Sequence, residues 1–126
     1  MLSHVTLGTN DLSRAARFYE EVLAPLGGRV AFTTERAVFF AFGEGPPRLA
    51  VILPYDAQPA TAGNGTMVAL AAPTPEVVDE VHALALAQGG RDEGAPGVRG
   101  GAGRSAYAAY FRDLDGNKLG IFCAAG

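Results

Sequence analysis

The chain has a single cysteine, Cys123, in 126 residues. An intramolecular disulfide is therefore impossible, and so is a metal site built from several thiolates. Charge is also scarce: Lys and Arg number 10 and Asp and Glu 13, for a formal net charge of −3. That balance offers no basic field for a phosphate backbone, which argues against nucleic acid as a partner. It is compatible with a cationic small molecule but too small to argue for one. Long apolar runs are missing as well, and none approaches the roughly 20 residues that span a bilayer. Met1-Leu2-Ser3-His4 has no basic stretch leading into an apolar core. Neither a membrane segment nor a signal peptide is expected, and a cytoplasmic location follows as the default.

What is present is a core with many turns. Hydrophobic residues make up 48% of the chain, with 17 glycines and 8 prolines. This composition predicts a packed domain of several short strands rather than a helical bundle. His4 to Gly8 alternates as a strand and runs through Thr9-Asn10-Asp11 into a helix cap. Ala15, Ala16, Phe18, Tyr19, Val22, Leu23 and Leu26 have helical spacing, and Gly27-Gly28 ends the helix. Strands are predicted over 29–33, 37–42 and 48–53. After a Pro- and Ala-rich linker at 55–63 the order restarts: a strand over 66–71, a helix capped by Thr74 with Pro75 first, then strands near 91–92, 107–112 and 118–123.

The two halves superimpose by number. Val5 and Leu7 correspond to Val68 and Leu70, 63 positions on, and Gly27-Gly28-Arg29 to Gly89-Gly90-Arg91, 62 positions on. Arg48 and Leu49 correspond to Lys118 and Leu119, 70 positions on. The expectation is one α+β domain over 1–126 made of two βαβββ modules, 1–54 and 64–126. The extra residues of the second half fall in Gly94 to Gly103, read as a glycine-rich flap in which Arg99 or Arg104 could meet an anionic group.

His4-Val5-Thr6-Leu7, Asp11-Leu12, Arg17-Phe18-Tyr19, Asn64-Gly65-Thr66 and above all Tyr110-Phe111-Arg112-Asp113-Leu114-Asp115-Gly116-Asn117-Lys118-Leu119 resemble the vicinal oxygen chelate superfamily. This group holds glyoxalase I, extradiol dioxygenases and bleomycin-binding proteins. The resemblance implies a curved, cup-shaped mixed sheet, a homodimer, and, in the enzymes, a divalent metal in the cup. It places the metal-ligand positions at His4, Ala50 (or Ile52), Met67 and Gly120, and the internal repeat pairs His4 with Met67 and Ala50 with Gly120.

A catalytic divalent site needs about three donors from His, Asp, Glu or Cys. Only His4 is one, and Met67 is a thioether suited at most to Cu(I). No metal and no cofactor are therefore expected. Tyr110 should lie opposite Gly120, and by the repeat Phe40 should face Ala50. The predicted lining is His4, Phe40, Ala50, Ile52, Met67, Tyr110, Gly120 and Phe122, with Thr6 near the floor. The leading expectation is a cup that binds a small aromatic or amphipathic molecule and is not an enzyme. The alternatives are a glyoxalase-like lyase, isomerase or dioxygenase with an unusual ligand set, and a structural or regulatory dimer whose cup is filled by Phe40, Ile52, Met67 and Phe122 as core.

Other motifs have plainer readings. Asp113 to Asn117 looks like a hairpin turn, because its glycine comes too early for a calcium loop and no glutamate closes it. The 94–103 stretch lacks the lysine-hydroxyl signature of a phosphate loop. His82 reads as a surface or boundary residue, His4 as either structural or functional, and Cys123 as an inert buried thiol.

Overall fold

The computed structural model describes residues 1–101 and 104–124. The first module runs β1 (His4–Gly8), α1 (Leu12–Leu23), a 3-10 turn (Ala24–Leu26), β2 (Arg29–Thr33), β3 (Ala37–Ala41) and β4 (Arg48–Ile52). The second runs β5 (Val68–Ala71), α2 (Pro75–Ala87), β6 (Arg91–Gly101), β7 (Arg104–Arg112) and β8 (Lys118–Ala124). The chain is thus α+β, with two four-stranded mixed sheets ordered β1-β4-β3-β2 and β5-β8-β7-β6. The sheets are not joined into a closed barrel. In each, the first and last strands pair in parallel and the rest antiparallel.

Both helices start where the sequence supplies a cap. Asp11 accepts from the Arg14 amide at 3.0 Å, and Thr74 from the Val77 amide at 3.3 Å with Pro75 following. Each helix lays an apolar stripe on its own sheet, and α1 also packs on α2. Phe18 and Tyr19 of α1 are buried with Phe40 of the first sheet and Phe111 of the second, in one continuous core. The opposite face of each sheet points away from this helical layer.

The repeat read from the sequence is reproduced in the strand register. Val5 pairs with Leu49 and Leu7 with Val51; their counterparts Val68 and Leu70 pair with Leu119 and Ile121.

The largest departure from expectation lies at 94–103. Instead of a flap, the described part of this stretch belongs to β6, which pairs with β7 from Arg91↔Arg112 to Gly101↔Arg104, with irregularities between Asp92 and Gly94 and between Gly94 and Gly97. Glycine weakens a strand, so composition argued against one here. The structure supplies the reason for Gly94: a Cβ there would stand 2.8 Å from Cδ2 of Tyr110. Close approach of backbone to an aromatic ring demands the glycine. Residues 102 and 103 of the expected flap, and the side chain of Arg104, lie outside what is described.

Candidate functional site

Register decides which side chains share the outward face of each sheet. In the first, His4 pairs with Arg48, Thr6 with Ala50 and Gly8 with Ile52. Across the next hairpin Phe39, not Phe40, pairs with Ala50. The His4 and Phe39 rings meet edge to face at 5.3 Å, and Phe39 stacks on Phe32 with centroids 4.5 Å apart. His4 is exposed, and its Nδ1 lies 3.0 Å from the Ser3 hydroxyl.

Phe40 must be removed from the expected lining. It is fully buried on the helix side, 6.3 Å from the Tyr19 ring. The reason is turn length. The hairpin between β3 and β4 spans 42–47, whereas that between β7 and β8 spans 113–117, one residue shorter. One extra residue in a turn moves every preceding strand side chain to the opposite face. Phe39 is therefore the counterpart of Tyr110, and both it and Phe32 escaped the sequence reading.

In the second sheet the expectation holds more closely. Tyr110 pairs with Gly120 and Ala108 with Phe122. The Tyr110 and Phe122 rings meet edge to face at 5.6 Å. A Cβ on Gly120 would lie 2.8 Å from Phe122 Cε1, 3.2 Å from Met67 Sδ and 3.3 Å from Tyr110 Cδ1. Those three side chains thus converge over the glycine. Met67 precedes β5 and is partly exposed. A cavity of about 540 Å³ on this face, lined in part by Phe122, Arg99, Ala106 and Ala124, continues the patch. The eight residues expected in one cup therefore divide: His4, Ala50 and Ile52 on the first sheet, Met67, Tyr110, Gly120 and Phe122 on the second, and Phe40 on neither outward face.

Donor chemistry is sparse. Among the described residues no three His, Cys, Asp or Glu side chains gather as a metal would require. His82, expected at the surface or its boundary, is buried on α2 with Nε2 3.0 Å from Asp92 Oδ1. Asp92 also accepts from the Gly94 amide at 2.9 Å. That amide first, and His82 second, hold the Asp92 carboxyl below the usual carboxylate range. A lowered carboxyl stabilises the fold above its unfolded value of about 3.9 and loses that contribution as pH falls through the lower folded value. Asp92→Asn should therefore flatten the dependence of melting temperature on pH below about 4, as read by thermal melts between about pH 2 and 6. An unchanged acid slope would show that the pair is idle.

The Asp113–Asn117 turn is a clasp rather than a ligand site. Asp113 is buried and accepts from the Tyr19 hydroxyl at 2.6 Å, Asn117 Nδ2 at 2.9 Å, and the Asp115 and Asn117 amides at 2.9 Å each. Asn117 Nδ2 also donates to the Gly8 carbonyl at 2.9 Å, and the Asn10 amide donates to Asp115 at 3.0 Å. Burial, reinforced by the Asp113 charge, pushes the Tyr19 hydroxyl well above the ordinary phenol range. The turn of the second module thereby fastens α1 and the end of β1 in the first. A sequence signal existed: a tyrosine on a buried helical stripe needs a polar partner.

Comparison with known proteins agrees with this arrangement. The family model of the Glyoxalase/Bleomycin resistance protein/Dioxygenase superfamily matches residues 1–121. The chain belongs to this superfamily. A solved glyoxalase/bleomycin resistance protein from Albidiferax ferrireducens T118 is 38% identical, with 98% of each chain covered and a TM-score of 0.91. A glyoxalase-related enzyme from Fulvimarina pelagi, 23% identical with a TM-score of 0.75, covers 98% of this chain and 87% of its own. A superfamily enzyme from Burkholderia phytofirmans PsJN, 20% identical with a TM-score of 0.77, covers 98% of both. These last two share the fold. No functionally curated protein matches. Among the described residues no helix is long and apolar enough to cross a membrane, and the superfamily typically binds small molecules.

Proposed function

We propose that this superfamily member binds a small aromatic or amphipathic molecule on its outward sheet faces, without a catalytic divalent metal. The donor set carries the reading. Of the four positions that the superfamily resemblance assigns to metal ligands, His4 offers one imidazole, Met67 a thioether, and Ala50 (or Ile52) and Gly120 nothing. The space a side chain at Gly120 would need is taken by Phe122, Met67 and Tyr110. A catalytic ion does not fit this set.

The aromatic surfaces support a binder instead. Phe39 stacked on Phe32 is a flat apolar platform, and Tyr110 set edge to face against Phe122 forms an apolar corner, with one hydroxyl and one imidazole beside them. Phe32 and Met67 remain 44% and 39% exposed, a large apolar area for a chain alone in water. A second copy covering these faces, in a homodimer, would bury them and close the cup.

The rival reading is a metal-dependent lyase or isomerase, favoured by the glyoxalase-related enzyme from Fulvimarina pelagi that shares the fold. Elemental analysis of protein purified without chelators separates the two. We expect well under one divalent ion per chain and no gain in melting temperature with added Zn²⁺, Ni²⁺ or Mn²⁺. A stoichiometric ion lost on His4→Ala would overturn the binder. Sedimentation should give twice the mass of one chain.

A further inference from the structure

We infer that the ligand of this face is an anion: a flat apolar body carrying a carboxylate or similar acid group. The inference rests on the binding role proposed above and adds the sign of its charge. Although the whole chain is acidic, its outward sheet faces are not. Register places Arg48 beside His4 and Ala41, and Arg29 beside Ala41. On the second sheet, Lys118, Arg112 and Arg91 form one row, and Arg99 pairs with Ala106.

Contacts confirm the side on which the second set lies. Lys118 Nζ stands 5.4 Å and the Arg99 guanidinium 5.7 Å from the Tyr110 ring centroid. Within the strands Glu93 is the sole carboxylate on this side, and Arg112 engages it at 2.6 Å. Asp92 turns the other way, to His82 on α2. The acids concentrate behind: α1 and α2 carry Glu20, Glu21, Glu76, Asp79 and Glu80.

Two further observations sharpen this. Arg48 and Lys118 occupy the same place in the repeat, the first residue of the last strand, so each module sets a cation at the same end of its aromatic platform. Among the described residues neither forms an ion pair, and the buried Nε of Arg48 has no hydrogen-bond partner. Unpaired donors beside aromatic rings match an aromatic acid, whose ring lies on Phe39 or Tyr110 while its oxygens meet the cation. A like-signed lining also concentrates anions ahead of contact.

Three probes of one shape test the sign: 1-naphthoate, 1-naphthamide and 1-naphthylmethylamine, titrated calorimetrically into the full chain. Naphthoate should bind roughly tenfold more tightly than the amide, the worth of one charge-assisted bond, and the amine more weakly still. Arg48→Gln and Lys118→Gln should each reduce naphthoate affinity by up to about tenfold and leave the amide unchanged, with circular dichroism confirming the fold. Raising salt from about 0.05 to 0.5 M should weaken naphthoate alone. If the amide or amine binds as well as the acid, or naphthoate ignores both substitutions, the anion inference falls while the binding role stands. If none of the three binds, the binding role fails and takes the inference with it.

Discussion

Replacing Asp113 with alanine should destabilise the protein by about 3–5 kcal/mol, the range for removing one partner from a buried charged network. Its carboxylate takes four hydrogen bonds, two from backbone amides of its own turn, one from Asn117 and one from Tyr19 across the module boundary. Alanine leaves all four donors without their acceptor in a largely buried site. Tyr19→Phe removes only the hydroxyl and should lose about 1.5–3 kcal/mol, since the acceptor is charged. The two changes should be less than additive in a double-mutant cycle, because they break one network. Urea denaturation reads all three. The raised Tyr19 hydroxyl adds a pH signature: a group lifted above its unfolded value of about 10 contributes fully below that value and loses the contribution as pH climbs through the folded one. The alkaline limb of the wild-type stability curve should therefore be shallower in Tyr19→Phe. A loss under about 1 kcal/mol for Asp113→Ala would mean that the turn does not hold the modules together.

Adjacent phenylalanines should respond in opposite ways. Phe40→Ala empties a fully buried site against Tyr19 and should cost about 3–5 kcal/mol, with little direct effect on a ligand. Phe39→Ala removes a half-buried ring from the outward face, where it stacks on Phe32 and touches His4. Its stability loss should be smaller, and naphthoate affinity should fall about tenfold, the scale of a lost stacking partner plus buried area. Denaturation and calorimetric titration of both variants give four numbers that must cross. If both variants lose stability alike and both bind, the assignment of faces is wrong.

That pair also shows where sequence reasoning stopped. The repeat offsets were legible because identical spacing demands identical register, and Val5–Leu49 matching Val68–Leu119 follows from it. Face assignment in β3 was not, since it depends on the parity of a turn whose length the repeat does not preserve. Tyr110 over Gly120 survived because both lie in one hairpin, counted from one turn. The length of β6 was hidden by its own glycines, which read as loop; the Tyr110 ring explains the one at Gly94. Asp113 to Asn117 stood out as a motif, but its partners Tyr19 and Gly8 lie 94 and 109 positions away, and no local pattern reports such contacts. The charge of the outward face was written in the sequence all along; it emerges only once register sorts strand residues by side.

The shared helical layer has a quantitative corollary. Because both outward faces look away from it, one chain cannot wrap a guest between its own two sheets. In the homodimer proposed above, a twofold pair would instead enclose two equivalent chambers, each walled by both subunits. Uptake should then saturate at one guest per polypeptide. Dilution that splits the pair should discharge both guests together, so apparent affinity should rise with protein concentration.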